Sequence, residues 1–226
     1  MTMDQFADTL DQHAGRTVGF ADHVRALRSA RAVKAAIEAD RKTAYELMKA
    51  HYSRGNVAVG SGSVLRMSKP SKVSVRRTVD SKLVQRRYPK VYDQCRVPVP
   101  YVTVAGELTV VRPANTGFSV ASNADLDRVV AAYRACSVPE DVTAAEAAAV
   151  AALKGIADEF GWDGLPLEFT DAWTIGLRRL QFDAKVLREL RPDVVEECSV
   201  ERSSGGSTTL RIVDPAEGER DHEGDF

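Results

Sequence analysis

Asp80-Ser81-Lys82, running on to Pro89-Lys90-Val91 and Cys95, returns 103 residues later as Asp183-Ala184-Lys185, Pro192-Asp193-Val194 and Cys198. Arg76 and Arg179 extend the match at the same offset, and apolar residues between these markers stay in step. An offset held over six positions points to one supersecondary unit used twice. Charge separates the two copies. Residues 66–96 carry ten Lys or Arg against Asp80 and Asp93, whereas residues 169–202 carry six basic and seven acidic side chains. Duplication preserves shape while charge selects the partner, so the pattern favours a binding device over an enzyme.

Upstream of the first copy, Phe6 and Leu10 mark a short helix over 4–13 that breaks at Gly15. From about 21 to 51, Ala26, Ala30, Val33 and Ile37, then Ala44 and Leu47, form the stripe of one long helix, interrupted by Asp40. Val64–Met67 and Lys72–Arg76 flank Ser68-Lys69-Pro70-Ser71 as a hairpin would, and Val97–Val111, divided at Ala105-Gly106, reads as another. Asp80 is placed to cap a helix, and Pro89 to open the next.

Pro113 to Gly117 has the composition of a linker. Asn123 is then expected to cap a helix carrying Leu126, Val130 and Tyr133. Thr143 with Glu146 reads as a capping box ahead of a helix over 144–160 that Gly161 stops. Strands at 165–169 and 173–178 read as a third hairpin. Asp183 caps a helix running to Cys198, and Val200 with Thr208–Val213 flanks Ser203-Ser204-Gly205-Gly206 as the last hairpin. The expected fold is α+β. It consists of two tandem, related helix-hairpin-helix-hairpin units at 1–112 and 123–213, joined by a linker at 113–122, with a long N-terminal helix. Residues 214–226, with six acidic residues and one Arg, read as a disordered acidic tail.

At 226 residues and 44% hydrophobic content the chain can bury a real core. No run approaches the roughly 18 apolar residues that span a bilayer, and the first residues lack a signal-peptide pattern, so a cytoplasmic place is expected. Cys95, Cys136 and Cys198 are odd in number and without C-x-x-C spacing, which favours reduced, half-buried thiols over a disulfide framework or zinc site. His13, His23, His51 and His222 show no metal-like pairing, and Gly60-Ser61-Gly62 lacks the rest of a phosphate loop. No cofactor or metal is expected. The two D-x-K triplets invite a metal-dependent nuclease reading through Asp80 and Lys82, but capping accounts for both aspartates without a metal.

The basic stretch carries the functional expectation. Lys69, Lys72, Arg76, Arg77, Lys82, Arg86, Arg87 and Lys90 lie within 22 residues, with Tyr88 and Tyr92 beside them, the pattern of phosphate contacts near aromatic faces. On a strand, Lys72, Ser74 and Arg76 would share one face, leaving Val73 and Val75 for a buried one. Tyr88 and Tyr92, four apart, suit the core better than a stacking platform. Arg76-Arg77-Thr78-Val79-Asp80-Ser81-Lys82-Leu83 and Tyr88-Pro89-Lys90-Val91-Tyr92, following a long helix and a glycine-interrupted hairpin, resemble small bacteriophage proteins encoded among recombination genes. The helix-plus-hairpin layout over 24–104 also looks like that of the Gam-like host-nuclease inhibitors. The resemblance brings no catalytic residue and implies a phage setting in a bacterial host. The expected function is a non-enzymatic accessory of DNA recombination. It would bind DNA, or a recombination enzyme such as an integrase, recombinase or nuclease, and act as a directionality factor or a nuclease inhibitor. A metal-dependent nuclease and a phage structural or assembly protein are the alternatives.

Overall fold

A computed structural model describes residues 3–14, 19–105, 120–168 and 174–214. In chain order the elements are helices α1 (Met3–Ala14) and α2 (Phe20–Ser53), strands β1 (Val64–Met67) and β2 (Ser74–Val79), helices α3 (Ser81–Arg87) and α4 (Pro89–Gln94), and strand β3 (Arg96–Ala105). Then come α5 (Leu126–Ala135), α6 (Glu140–Phe160), β4 (Leu167–Glu168), β5 (Thr174–Phe182), α7 (Ala184–Leu190), α8 (Pro192–Glu197), β6 (Ser199–Ser204) and β7 (Leu210–Val213). Helices with small antiparallel sheets make an α+β protein.

Strand positions follow the alternation in the sequence, but most strand partners are distant. β1 pairs with β7, β2 with β6 and β3 with β5, and only the short β4 pairs with its neighbour β5. The hairpins expected at 64–76 and at 200–213 are therefore not formed. Residues 68–71 run instead beside 206–209, with Ser68 N–H donating to the Thr209 carbonyl at 2.8 Å. For the hairpin expected at 97–111, residues 97–105 lie in β3 against β5, and 106–111 fall outside the described residues. Alternation marks a strand without naming its partner; the partner is chosen by the packing of the helices between strands.

That packing is visible in two segments, β2–α3–α4–β3 and β5–α7–α8–β6, which share an element order and exchange strands. In one ladder Arg76 faces Arg202 and Val79 faces Ser199; in the other Val99 faces Arg179 and Arg96 faces Phe182. Moving one residue of a pair forward by 103 and its partner back by 103 converts the first ladder into the second. The junctions correspond too. Asp80 N–H donates to the Cys198 carbonyl and Asp183 N–H to the Cys95 carbonyl, both at 2.8 Å. Asp80 caps α3 by accepting from the N–H groups of Lys82 and Leu83, and Asp183 caps α7 through Lys185 N–H. Pro89 and Pro192 open the second helices, and Cys95 and Cys198 close them. Between the ladders Val84, Cys95, Leu187, Val194 and Cys198 form one buried cluster, edged by the stacked rings of Tyr92 and Phe182 at 5.2 Å.

The chain divides into two compact units, each made of three stretches: 1–30, 74–110 and 144–204 in the first, and 31–73, 111–143 and 205–226 in the second. The expected division at a linker over 113–122 follows sequence order, whereas the contacts group the chain by these interleaved stretches; residues 113–119 lie outside the described ones. A second core of the first unit gathers Phe20, Val24, Leu27, Leu153, Ile156, Ile175 and Leu177. The second unit packs Met48, Leu65, Leu126, Val129, Val130 and Leu210. On α2 the buried line runs through Phe20, Val24, Leu27, Ala30, Ile37, Ala44 and Met48, so Ala26 is exposed instead of buried. Leu27 and Met48 take the buried places expected of Ala26 and Leu47, whereas Ala30, Ile37 and Ala44 are buried as expected. α5 is capped by Asp125, not Asn123, and α6 begins at Glu140, which puts Thr143 inside the first turn, its hydroxyl donating to the Pro139 carbonyl. Gly161, at φ +67°, ends α6 as expected.

Of the expected tail, Asp214 is ordered by two bonds in the second unit, and 215–226 lie outside the described residues. The buried Ser63 hydroxyl donates to Asp214 at 2.5 Å and the Arg134 guanidinium at 2.7 Å. The Ser63 bond, followed by Arg134, holds the Asp214 carboxyl below the ordinary 3.8, so its contribution is present above that value and is lost as pH falls through the lower folded value. Asp214→Asn should accordingly flatten the acid limb of a denaturation profile below pH 3.8; an unchanged limb would place acid sensitivity elsewhere. For the first unit, Leu187→Ala should cost about 3 kcal/mol. Because both ladders close on Leu187, amide exchange should accelerate together in β2 and β5, and acceleration in β5 alone would show the ladders to be independent.

Candidate nucleic-acid interface

The eight basic residues singled out in the sequence are all exposed, but they belong to different parts of the fold. Lys69 and Lys72 sit on the stretch between β1 and β2, in the second unit. The other six belong to the first: Arg76 and Arg77 on β2, Lys82, Arg86 and Arg87 on α3, and Lys90 on α4. Lys82 and Arg86, four apart, lie on the solvent side of α3, opposite Val84, which is buried in the cluster between the ladders. Arg76, Lys82, Arg86 and Lys90 have no acidic partner among the described residues.

On β2 the side chains alternate and cross-strand neighbours share a face. One face holds the pairs Ser74 with Ser204, Arg76 with Arg202, and Thr78 with Val200. The other holds Val75 with Ser203, Arg77 with Glu201, and Val79 with Ser199. The second face turns toward the helices: Val79 packs on the cluster between the ladders, and Arg77 donates to the Glu196 carbonyl at the end of α8 at 3.1 Å. The first face is the outer one, and its only charges are two arginines directly opposite each other. Arg202 is held by Asp80 at 3.4 Å, through the carboxylate oxygen that does not cap α3. The bonds from Leu83 and Lys82 and the Arg202 charge keep the Asp80 carboxyl below its ordinary value against the opposing effect of burial. Ser74 and Ser204 hydroxyls meet at 3.0 Å toward the far end of the ladder.

Two expectations change. Val73 and Val75 do not form a buried face; they are 65% and 62% exposed, because β2 and β6 make a two-stranded ribbon with no third layer over that end. The thiols of Cys95, Cys136 and Cys198 are buried, not half-buried. Tyr88 and Tyr92 are half-buried and engaged, Tyr92 on Phe182 and Tyr88 donating to Glu197 at 2.5 Å, a bond that raises the phenol above its usual pKa. As for Asp80 and Lys82, the carboxylate is committed to the helix cap and to Arg202, and among the described residues no three His, Cys, Asp or Glu gather as metal ligands. Arg202 is the site residue that the basic run did not reveal, since it comes from the distant strand β6. The offset alone did not reveal it either, because its counterpart at that offset is Val99.

The second unit holds a groove of about 1230 Å³ along the end of α2 and the start of α5, lined by His51, Asn56, Asn123, Leu126 and Arg128. There His51 Nε2 donates to the Ala124 carbonyl at 3.1 Å, and Nδ1 is buried without a partner. Comparison with protein-family models, curated proteins and solved structures finds no match for the chain.

Burial pushes all three thiols above their ordinary pKa, with Asp183 adding to the effect at Cys95. A colorimetric thiol reagent at neutral pH should therefore find none of the three in the native protein and all three after denaturant is added. Fast reaction of one thiol in the native state would mark it as accessible.

Proposed function

We propose that the chain is a non-enzymatic DNA-binding accessory that grips the phosphate backbone with the basic surface of β2, α3 and α4. The observation that carries this reading is the Arg76–Arg202 pair. Like charges directly opposed on a ladder destabilise it, by up to about 1 kcal/mol, and the field of a polyanion docked over that face offsets the repulsion. Arg86, Lys82 and Lys90 extend the positive surface without local neutralisation. We read β2–α3–α4–β3 and β5–α7–α8–β6 as copies of one unit, the first kept basic for binding and the second neutralised. The phage recombination setting rests on the resemblance of residues 76–83 and 88–92. Within that setting, redirecting an integrase and shielding DNA from a nuclease would both act through DNA held in this way.

Titrating fluorescent duplex DNA at several salt concentrations tests the reading. Each Lys or Arg contact with a phosphate should contribute about 0.9 to the slope of log K against log salt. Replacing Lys82, Arg86 and Lys90 together by Ser should reduce that slope by up to about 2.7 units while the melting temperature moves little, since exposed charges contribute little stability. No DNA binding by the unaltered chain at low salt, or an unchanged slope in the variant, overturns the proposal.

A further inference from the structure

The two ladders of the first unit share a register but differ in what covers them. At the far end of β3–β5, Ile175 and Leu177 are buried under Leu153 and Ile156 of α6. At the matching end of β2–β6, Ser74 stands where β5 has Leu177, and Val75, Ser203 and Ser204 are exposed. A bare two-stranded ribbon is about 5 Å from strand to strand and enters the roughly 12 Å major groove of duplex DNA as readily as a helix does. Its outer face carries the small side chains of Ser74, Ser204, Thr78 and Val200 around the two opposed arginines, and its one neighbouring carboxylate, Asp80, is taken up by Arg202 and the cap of α3.

We propose that this outer face reads duplex DNA in the major groove, with Arg76 and Arg202 each donating two hydrogen bonds to the O6 and N7 of a guanine. Directly opposed residues have Cα atoms about 4.5–5.5 Å apart, which lets two long guanidinium side chains reach neighbouring base pairs stacked about 3.4 Å apart. Asp80 holds one end of the Arg202 guanidinium through a single contact at 3.4 Å, which keeps the side chain near the ladder and leaves its other nitrogens for a base edge. Arg76 has no acidic partner among the described residues to draw it away. The proposal deepens the DNA-binding reading and rests on it: the α3 and α4 cations would position the backbone, and the ribbon would supply the sequence preference.

The test uses the full chain with three probes: duplexes of random sequence for selection, the selected duplex with 7-deazaguanine in place of guanine, and the matching single strand. Selection should enrich guanines on adjacent base pairs. Removing N7 should weaken binding about tenfold. Arg76→Lys and Arg202→Lys keep the charge and the salt slope but lose the paired contact, so each should reduce the preference about tenfold and become insensitive to 7-deazaguanine at one position. Unselective binding, equal affinity for the single strand, or indifference of the unaltered chain to 7-deazaguanine overturns groove reading while the backbone proposal stands. Absence of binding to any DNA overturns both.

Discussion

Two reciprocal hydrogen bonds, Asp80 N–H to the Cys198 carbonyl and Asp183 N–H to the Cys95 carbonyl, fix where one strand–helix–helix–strand segment locks into the other. Each joins the start of a helix pair in one segment to the end of the helix pair in the other. β2 is thereby obliged to pair with β6, and β5 with β3. Neither segment can satisfy its own backbone, and the buried cluster of Val84, Leu187, Val194 and the two cysteines closes only when both are present. The cost is kinetic: strands about 120 to 130 residues apart in one ladder and about 70 to 85 apart in the other must meet before their hydrogen bonds form, which raises the loop-closure entropy that folding must overcome.

Local features of this arrangement were legible in the sequence. Asp80 and Asp183 were recognisable as caps, Pro89 as a helix opener, Gly161 as a stop, and the alternating stretches as strands, because each depends on a residue's own backbone chemistry; the helix expected from Asp183 to Cys198 is instead two helices, broken at Pro192. Strand partners were not legible. Ser68-Lys69-Pro70-Ser71 has turn composition, yet it runs extended beside 206–209, since the ladders on either side bind distant strands and leave no room for a reversal. The same gap explains the candidate site. Arg76 was visible as part of a basic run, but its neighbour Arg202 lies in a segment of balanced charge and becomes significant only when β6 is placed beside β2.

Val75 shows how a strand's two faces can be misassigned. Alternation with Arg76 fits a half-buried strand, and on a sheet covered by helices Val75 would be inside. On β5 the face covered by α6, through Ile175 and Leu177, corresponds to the Ser74 face of β2, and the residue matching Val75 is Arg178, which is exposed as well. Val75 therefore sits on the face that the covered ladder also leaves open. Burial there was decided by what the neighbouring elements could pack against, a property of the assembled unit that a single strand's pattern does not contain.

The difference in charge between the segments has a comparable local origin. At the junction of the paired helices the second segment places Arg191, which binds Asp193 in the same turn at 2.6 Å, and the first places Tyr88, whose hydroxyl reaches Glu197 of the second. Acidic residues of α8 thus neutralise their own segment and anchor the tyrosine of the other, while none reaches Lys82, Arg86 or Lys90. Acid on α8 and cation on α3 are consequently held apart within one unit whose net charge is modest. The exposed cations of α3 therefore lie clear of the acid of α8, and the DNA contact proposed above requires only that local surface to be basic, not the whole chain.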